Sequence, residues 1–171
     1  MPDSIVRQTL REVEPLHAEE TVLPAAQKVI DASLPALPVV EDDGSFVGIF
    51  GEREFMAALF PGYVGELASA AMVKRSLDEA IERREACRIE PIRRYLTTDH
   101  VLVEDICSDT QLAELFLHHR VLVIPIATRG TVHAVVTRND FFRALVEKLA
   151  GSTETAPTGS DGGTLSSRGS A

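Results

Sequence analysis

Val132–Ala144, reading VHAVVTRNDFFRA, changes character halfway along. It is apolar through Val135 and Val136 and polar at Thr137, Arg138, Asn139 and Asp140. It then continues with Phe141, Phe142, Leu145, Val146 and Leu149 at helical spacing. This is the pattern of a strand running straight into a helix. Such a junction turns free backbone N–H groups and the positive end of a helix dipole outward, which suits an anion. Thr137 adds a hydroxyl and Asp140 a carboxylate, a pair that could hold a phosphate and a ribose diol. The same Thr-x-x-Asp spacing also fits a capping box, in which Thr137 caps the helix and the acid reaches back. Both readings stand at this level.

Working outward, residues 91–149 form a unit around this junction. Ile92, Arg93 and Leu96 lead in, and Val101 and Val103 supply a strand. Ser108-x-x-Gln111 is a capping-box start for a helix carrying Leu112, Leu115 and Phe116. Val121 to Ala127 is a strand, Arg129-Gly130 a turn, and Thr131 to Val136 the return strand. Residues 3–60 show the same order. Ile5, Val6 and Leu10 lead in, matching Ile92, Arg93 and Leu96 through Val6, Arg7 and Leu10. Thr21 to Ala32 is a helix with Pro24 tolerated in its first turn. Leu37 to Val40 is a strand, Asp43-Gly44 a hairpin turn, Ser45 to Phe50 the return strand and Glu52 to Leu59 a helix.

The register supports a duplication. Leu37-Pro38-Val39 corresponds to Ile124-Pro125-Ile126, and Gly51-Glu52-Arg53-Glu54-Phe55 to Thr137-Arg138-Asn139-Asp140-Phe141. The predicted fold class is α+β, with two β-α-β-β-α repeats packed as a pseudo-twofold pair, since neither is large enough to bury a core alone. Between them, residues 61–90 suggest two short helices, Val64 to Val73 and Leu77 to Cys87. Their Glu79, Glu82, Arg83, Arg84 and Glu85 read as a solvated face or a recognition surface. Residues 151–171 are rich in Gly, Ser and Thr and read as a disordered tail.

Composition narrows the functions. The formal net charge of −9 would repel nucleic acid, and no Lys/Arg stripe offsets it. No apolar run of about 18 residues is present, so no membrane span is expected. The N-terminus shows no secretory pattern. Cys87 and Cys107 form no CxxC, which fits a reducing, cytoplasmic setting.

The duplicated pattern, the apolar-Pro-apolar strand and the VVTRND junction together resemble a pair of cystathionine-β-synthase (CBS) domains, a Bateman module. The resemblance covers 3–60 and 91–149. It implies a stand-alone regulatory module that binds an adenosyl ligand, AMP, ADP, ATP or S-adenosylmethionine, between the repeats. It also implies a homodimer. By position, Asp140 would take the ribose hydroxyls and Thr137 the phosphate, with Arg138 adding charge and Ile124 and Pro125 flanking the adenine. Pro125 could equally shape a strand edge. The first-repeat counterparts, Leu37, Pro38, Gly51 and Glu54, are degenerate. Gly48 keeps the glycine the family often has three residues before the hydroxyl, where the second repeat has Ala134, still small, but Gly51 lacks the hydroxyl and Glu54 stands where Asp is usual. A weaker or empty first-repeat site is expected.

No catalytic constellation is visible. His17, His100, His118, His119 and His133 have no zinc-like spacing, and no P-loop, GxGxxG or GxSxG occurs. No metal and no required cofactor is expected, and the chain is read as non-enzymatic. The competing reading is a ligand-free interaction module whose middle helices bind a partner protein.

Overall fold

A computed structural model describes residues 4–61 and 77–152. The helix expected over Val64 to Val73 and the tail beyond residue 152 lie outside the described residues. In chain order the elements are α1 (Ile5–Thr9), β1 (Arg11–Glu12), β2 (Leu16–His17), α2 (Val22–Asp31), β3 (Ala36–Val40), β4 (Phe46–Gly51) and α3 (Glu52–Leu59). Next come α4 (Leu77–Arg84) and two short 3-10 turns, Glu85–Ile89 and Ile92–Arg94. The second half holds β5 (Val103–Glu104), α5 (Asp109–His119), β6 (Val123–Thr128), β7 (Thr131–Thr137) and α6 (Arg138–Gly151). The protein is α+β with two small sheets. Gly151, placed in the tail on composition, is the last residue of α6.

Each sheet is built on an antiparallel hairpin with a short parallel strand beside it. In the first, β2 lies parallel to β3 and β3 antiparallel to β4. In the second the order is β1-β7-β6-β5, with β5 parallel to β6. The hairpins turn where Gly44 and Gly130 hold φ of 83° and 76°, values that cost glycine little. Pro38 and Pro125 each sit in an interior strand, β3 and β6, where a missing N–H would normally break a ladder. Each is tolerated because the parallel neighbour starts one residue later, at Val39 and Ile126. On that side the proline faces an edge.

The lead-ins are exchanged. On the side away from β6, the antiparallel partner of β7 is β1, from the start of the chain, with Arg11 opposite Val135. Its counterpart in the first half is Thr97, which bridges Ile49 through two backbone hydrogen bonds of 3.1 and 3.2 Å. The apolar residues follow. Ile5 and Val6 of α1 are buried with Leu112, Phe116, Ile124 and Phe141 of the second half. Ile92 is buried with Leu16, Val22, Val29 and Phe50 of the first. Each half therefore completes its core with a segment that precedes the other half in sequence.

The helices are held by local chemistry that matches their patterns. Val22, Ala25 and Val29 form the buried stripe of α2. In α5, Ser108 Oγ accepts from the Gln111 N–H at 3.2 Å and Gln111 Oε1 accepts from the Ser108 N–H at 3.0 Å, a complete capping box. Phe116 and Phe141 pack as tilted rings 5.6 Å apart, joining α5 to α6. Val123 and Val135 project from the second sheet into the first half's core, so the two sheets meet face to face. That contact sets the strand-to-helix junction of one half against the α2–β3 corner of the other.

Candidate functional site

The junction in Val132–Ala144 folds as a strand ending at Thr137 and a helix starting at Arg138. The Thr137 hydroxyl accepts from the Asp140 N–H at 3.0 Å and donates to Asp140 Oδ2 at 2.7 Å. Thr137 is therefore a true N-cap. The capping box is only half made, however, because the Asp140 carboxylate is engaged elsewhere. Arg11, 129 residues earlier in the chain, grips it with two prongs. Nε lies 2.8 Å from Oδ2 and Nη2 2.9 Å from Oδ1. Burial alone would discourage ionisation of Asp140. The bonds from Thr137 and Arg11, with the charges of Arg11 and Arg143, outweigh it and hold the carboxyl below the ordinary aspartate value.

Thr137, Arg138 and Asp140 together form one wall of a cleft of about 680 Å³ between the two halves. The facing wall comes from the end of α2 and the α2–β3 corner, through Val29, Ile30 and Pro35. Such a volume, largely apolar with a few convergent polar groups, is typical of small-molecule sites. Arg11 lies in the same lining, and Leu122 closes one side, its carbonyl accepting from the Arg138 N–H at 2.9 Å. Ile124 and Pro125 are not in that lining. Both are buried in β6, and Ile124 packs in the second-half core.

The first half offers the corresponding place in a different state. Glu54 is buried, 4% exposed, and accepts from the Gly51 N–H at 3.1 Å and from the Thr97 hydroxyl. Thr97 thus does for Glu54 what Arg11 does for Asp140, without a charge. Gly51 has no room for the hydroxyl-bearing side chain of Thr137. A Cβ there would lie 2.1 Å from the Pro35 carbonyl oxygen and 2.5 Å from the Ala36 Cα. Gly48 is as crowded, with a Cβ meeting the Thr97 carbonyl oxygen at 2.5 Å. Leu37 and Pro38 are buried in β3. Near this junction His100 is half-buried with Nε2 2.9 Å from the Val123 carbonyl oxygen. Its burial lowers its pKa, against the raising effects of that carbonyl and of Glu54.

The reading from sequence singled out Thr137, Arg138 and Asp140, and the structure brings them together with a residue it did not name, Arg11. The signal for Arg11 was faint. It follows the lead-in matched to the 92–96 segment, so it takes the position of Thr97 in the other repeat. Elsewhere, among the described residues, no three His, Cys, Asp or Glu side chains gather in a metal-binding arrangement, and Cys87 and Cys107 are free thiols. No helix among them is long and apolar enough to cross a membrane.

Comparison with known proteins agrees with this architecture. The CBS-domain family matches residues 6–61, while no curated protein matches the chain. Among solved structures, the CBS domain of a CBS-domain-containing membrane protein from Sphaerobacter thermophilus superposes with a TM-score of 0.63 at 21% identity. The match covers 82% of this chain and 86% of that one. A CBS-domain-containing protein from Agrobacterium tumefaciens gives 0.60 at 18%, covering 82% and 90%. CBSX2, solved in complex with AMP, gives 0.60 at 16%, covering 86% and 99%. Residues 6–61 thus match the CBS-domain family, and the chain as a whole has the fold of a tandem CBS-domain pair.

Proposed function

We propose that the protein is a non-enzymatic regulatory module that binds one adenosyl ligand in the cleft at Thr137 and Asp140. The observation that carries this is the half-made capping box. If Asp140 served only to start α6, its carboxylate would turn back to the Thr137 backbone, as Gln111 does to Ser108. Instead it stands on the cleft wall, held by Arg11 and the Thr137 hydroxyl, with acceptor capacity left on Oδ1 for a hydroxyl donor. The binding of AMP by CBSX2, which shares the fold, supports the ligand class. The crowding at Gly51 and the burial of Glu54 support a single site per chain rather than two.

Occupancy would act through what the cleft joins. Its walls come from both halves, so a ligand that binds one relative placement of the halves better shifts the population toward it. A second copy of the chain is the proposed receiver of that shift. On α6, Phe142, Leu145, Val146 and Leu149 are all exposed and fall at i, i+3, i+4 and i+7, one continuous stripe. Leu117 on α5, 76% exposed, and Ile30 and Met56 of the first half are further exposed apolar residues. Ile30 and Leu117 are equivalent positions of the two repeats, as are Met56 and Phe142. A surface with that internal symmetry suits an isologous contact.

The test is thermal unfolding with AMP, ADP, ATP and S-adenosylmethionine, wild type beside Asp140→Ala. A ligand at about 100 times its dissociation constant stabilises by about 2.7 kcal/mol, several degrees for a domain of this size. A shift in the wild type that the variant loses is the expected result. A shift that survives in the variant moves the site to the other half. No shift with any of the four leaves the ligand-free interaction module, for which the apolar stripe already provides a surface.

A further inference from the structure

The cleft has a charge character that its motif does not specify, and it rests on the exchanged lead-in. Arg11 reaches the site because β1 pairs with β7 and not with its own repeat. It neutralises Asp140 with two bonds, its Nη1 donates to the Ser33 carbonyl at 3.5 Å, and the guanidinium stays in the cleft lining. Arg138 is exposed in the same lining at the first position of α6, and Arg143 lies within electrostatic reach of Asp140. Within that lining Arg11 and Arg138 are balanced by Asp140 and Glu52, and Arg143 adds a cation just outside it. At the equivalent place in the other half the cation is absent, since Thr97 replaces Arg11. A lone Asp140 would invite a cation. Asp140 held by Arg11, beside Arg138 and the start of a 14-residue helix, invites an anion.

We infer that Arg11 sets the ligand class of the cleft, which takes a phosphate-bearing adenosine nucleotide and discriminates against the cationic S-adenosylmethionine. This rests on the adenosyl-site reading above and narrows it. Removing Arg11 leaves Asp140 uncompensated and turns the lining from balanced to net acidic. Nucleotide affinity then falls while that of the sulfonium ligand holds or rises. Uncharged adenosine is affected least by charge, and it gains a carboxylate freed from competition.

The experiment is calorimetric titration of the full chain with AMP, adenosine and S-adenosylmethionine, for wild type, Arg11→Gln and Arg11→Lys. In the wild type AMP is expected to bind more tightly than either of the others, and its advantage over adenosine to shrink as salt rises. Arg11→Gln is expected to lower the AMP to S-adenosylmethionine affinity ratio by about tenfold or more. Arg11→Lys, which keeps the charge but loses the two-pronged grip, should retain most of the preference. The inference is overturned if the Arg11→Gln ratio equals that of the wild type, or if wild type prefers S-adenosylmethionine. It is equally overturned if AMP and adenosine bind alike at low salt, a comparison that needs no variant and survives misfolding of either. If none of the three binds to wild type, the adenosyl site itself falls and this inference with it. Binding without discrimination removes only the present one.

Discussion

At Gly51 a single missing side chain decides how the two junctions differ. Its backbone is extended, so conformation does not demand glycine there. Space does, because the Pro35 carbonyl would lie 2.1 Å from a Cβ. Gly51→Ala should therefore destabilise by about 3 kcal/mol, at the upper end of overpacking costs, as read by urea unfolding. A cost under about 1 kcal/mol would mean the corner at residues 35–36 yields easily. Thr137 carries a milder burden. Thr137→Val removes the cap on the Asp140 N–H and should cost about 1 kcal/mol. Under the proposed function it also weakens nucleotide binding, so a variant with lowered stability and unchanged affinity would confine Thr137 to capping.

At the scale of elements, α1 is the informative one. Five residues cannot hold a helix by propensity, and α1 persists because a carboxylate from α5 caps it across the structure. Asp109 accepts from Ser4 Oγ at 2.7 Å and from the N–H groups of Ile5 and Val6 at 3.1 and 3.0 Å. Burial opposes ionisation of Asp109, but these bonds and the charge of Lys148 prevail and hold its carboxyl below the usual aspartate range. A depressed folded-state pKa means the ionised group stabilises the fold above about pH 4. That contribution is lost as pH falls through the folded value. Asp109→Ala should cost about 1–2 kcal/mol at pH 7 and much less at a pH below that folded value. Hydrogen exchange should show α1 opening ahead of the sheets in the variant. Equal destabilisation at both pH values would show that the charge is immaterial.

For the whole molecule, the exchanged lead-ins tie the halves into one cooperative unit. Neither 3–60 nor 91–149 contains its own complete core, since Ile5 and Val6 serve the second half and Ile92 the first. A fragment of residues 77–152 should therefore remain largely unfolded by circular dichroism, and adding residues 1–61 in trans should restore structure. A fragment that folds alone would count against interlocking. Assembly is tested on the α6 stripe away from the cleft. Val146→Glu combined with Leu149→Glu should turn the proposed dimer into a monomer in analytical ultracentrifugation while leaving nucleotide binding at the cleft measurable. A wild type that sediments as a monomer would end the dimer proposal.

Much of this was readable from local pattern. The period change at Thr137 located the strand-helix junction, and Glu52 to Leu59 folds as the helix its spacing requires. The Leu37-Pro38-Val39 and Ile124-Pro125-Ile126 echoes disclosed the duplication, because short-range periodicity and turn chemistry are properties of neighbouring residues. What pairs across the chain was not readable. Arg11 and Asp140 lie 129 residues apart, and Asp109 caps a helix more than 100 residues before it. Placing Ile124 and Pro125 required knowing which surface of β6 faces the cleft. Periodicity says that alternate residues share a face, but only the packing of one sheet on the other says which face that is. The sequence by itself determined the repeated elements and the polar junction between them. The tertiary structure alone decided which lead-in completes which half, and so which charge stands beside Asp140, because strand exchange depends on the joint burial of two cores.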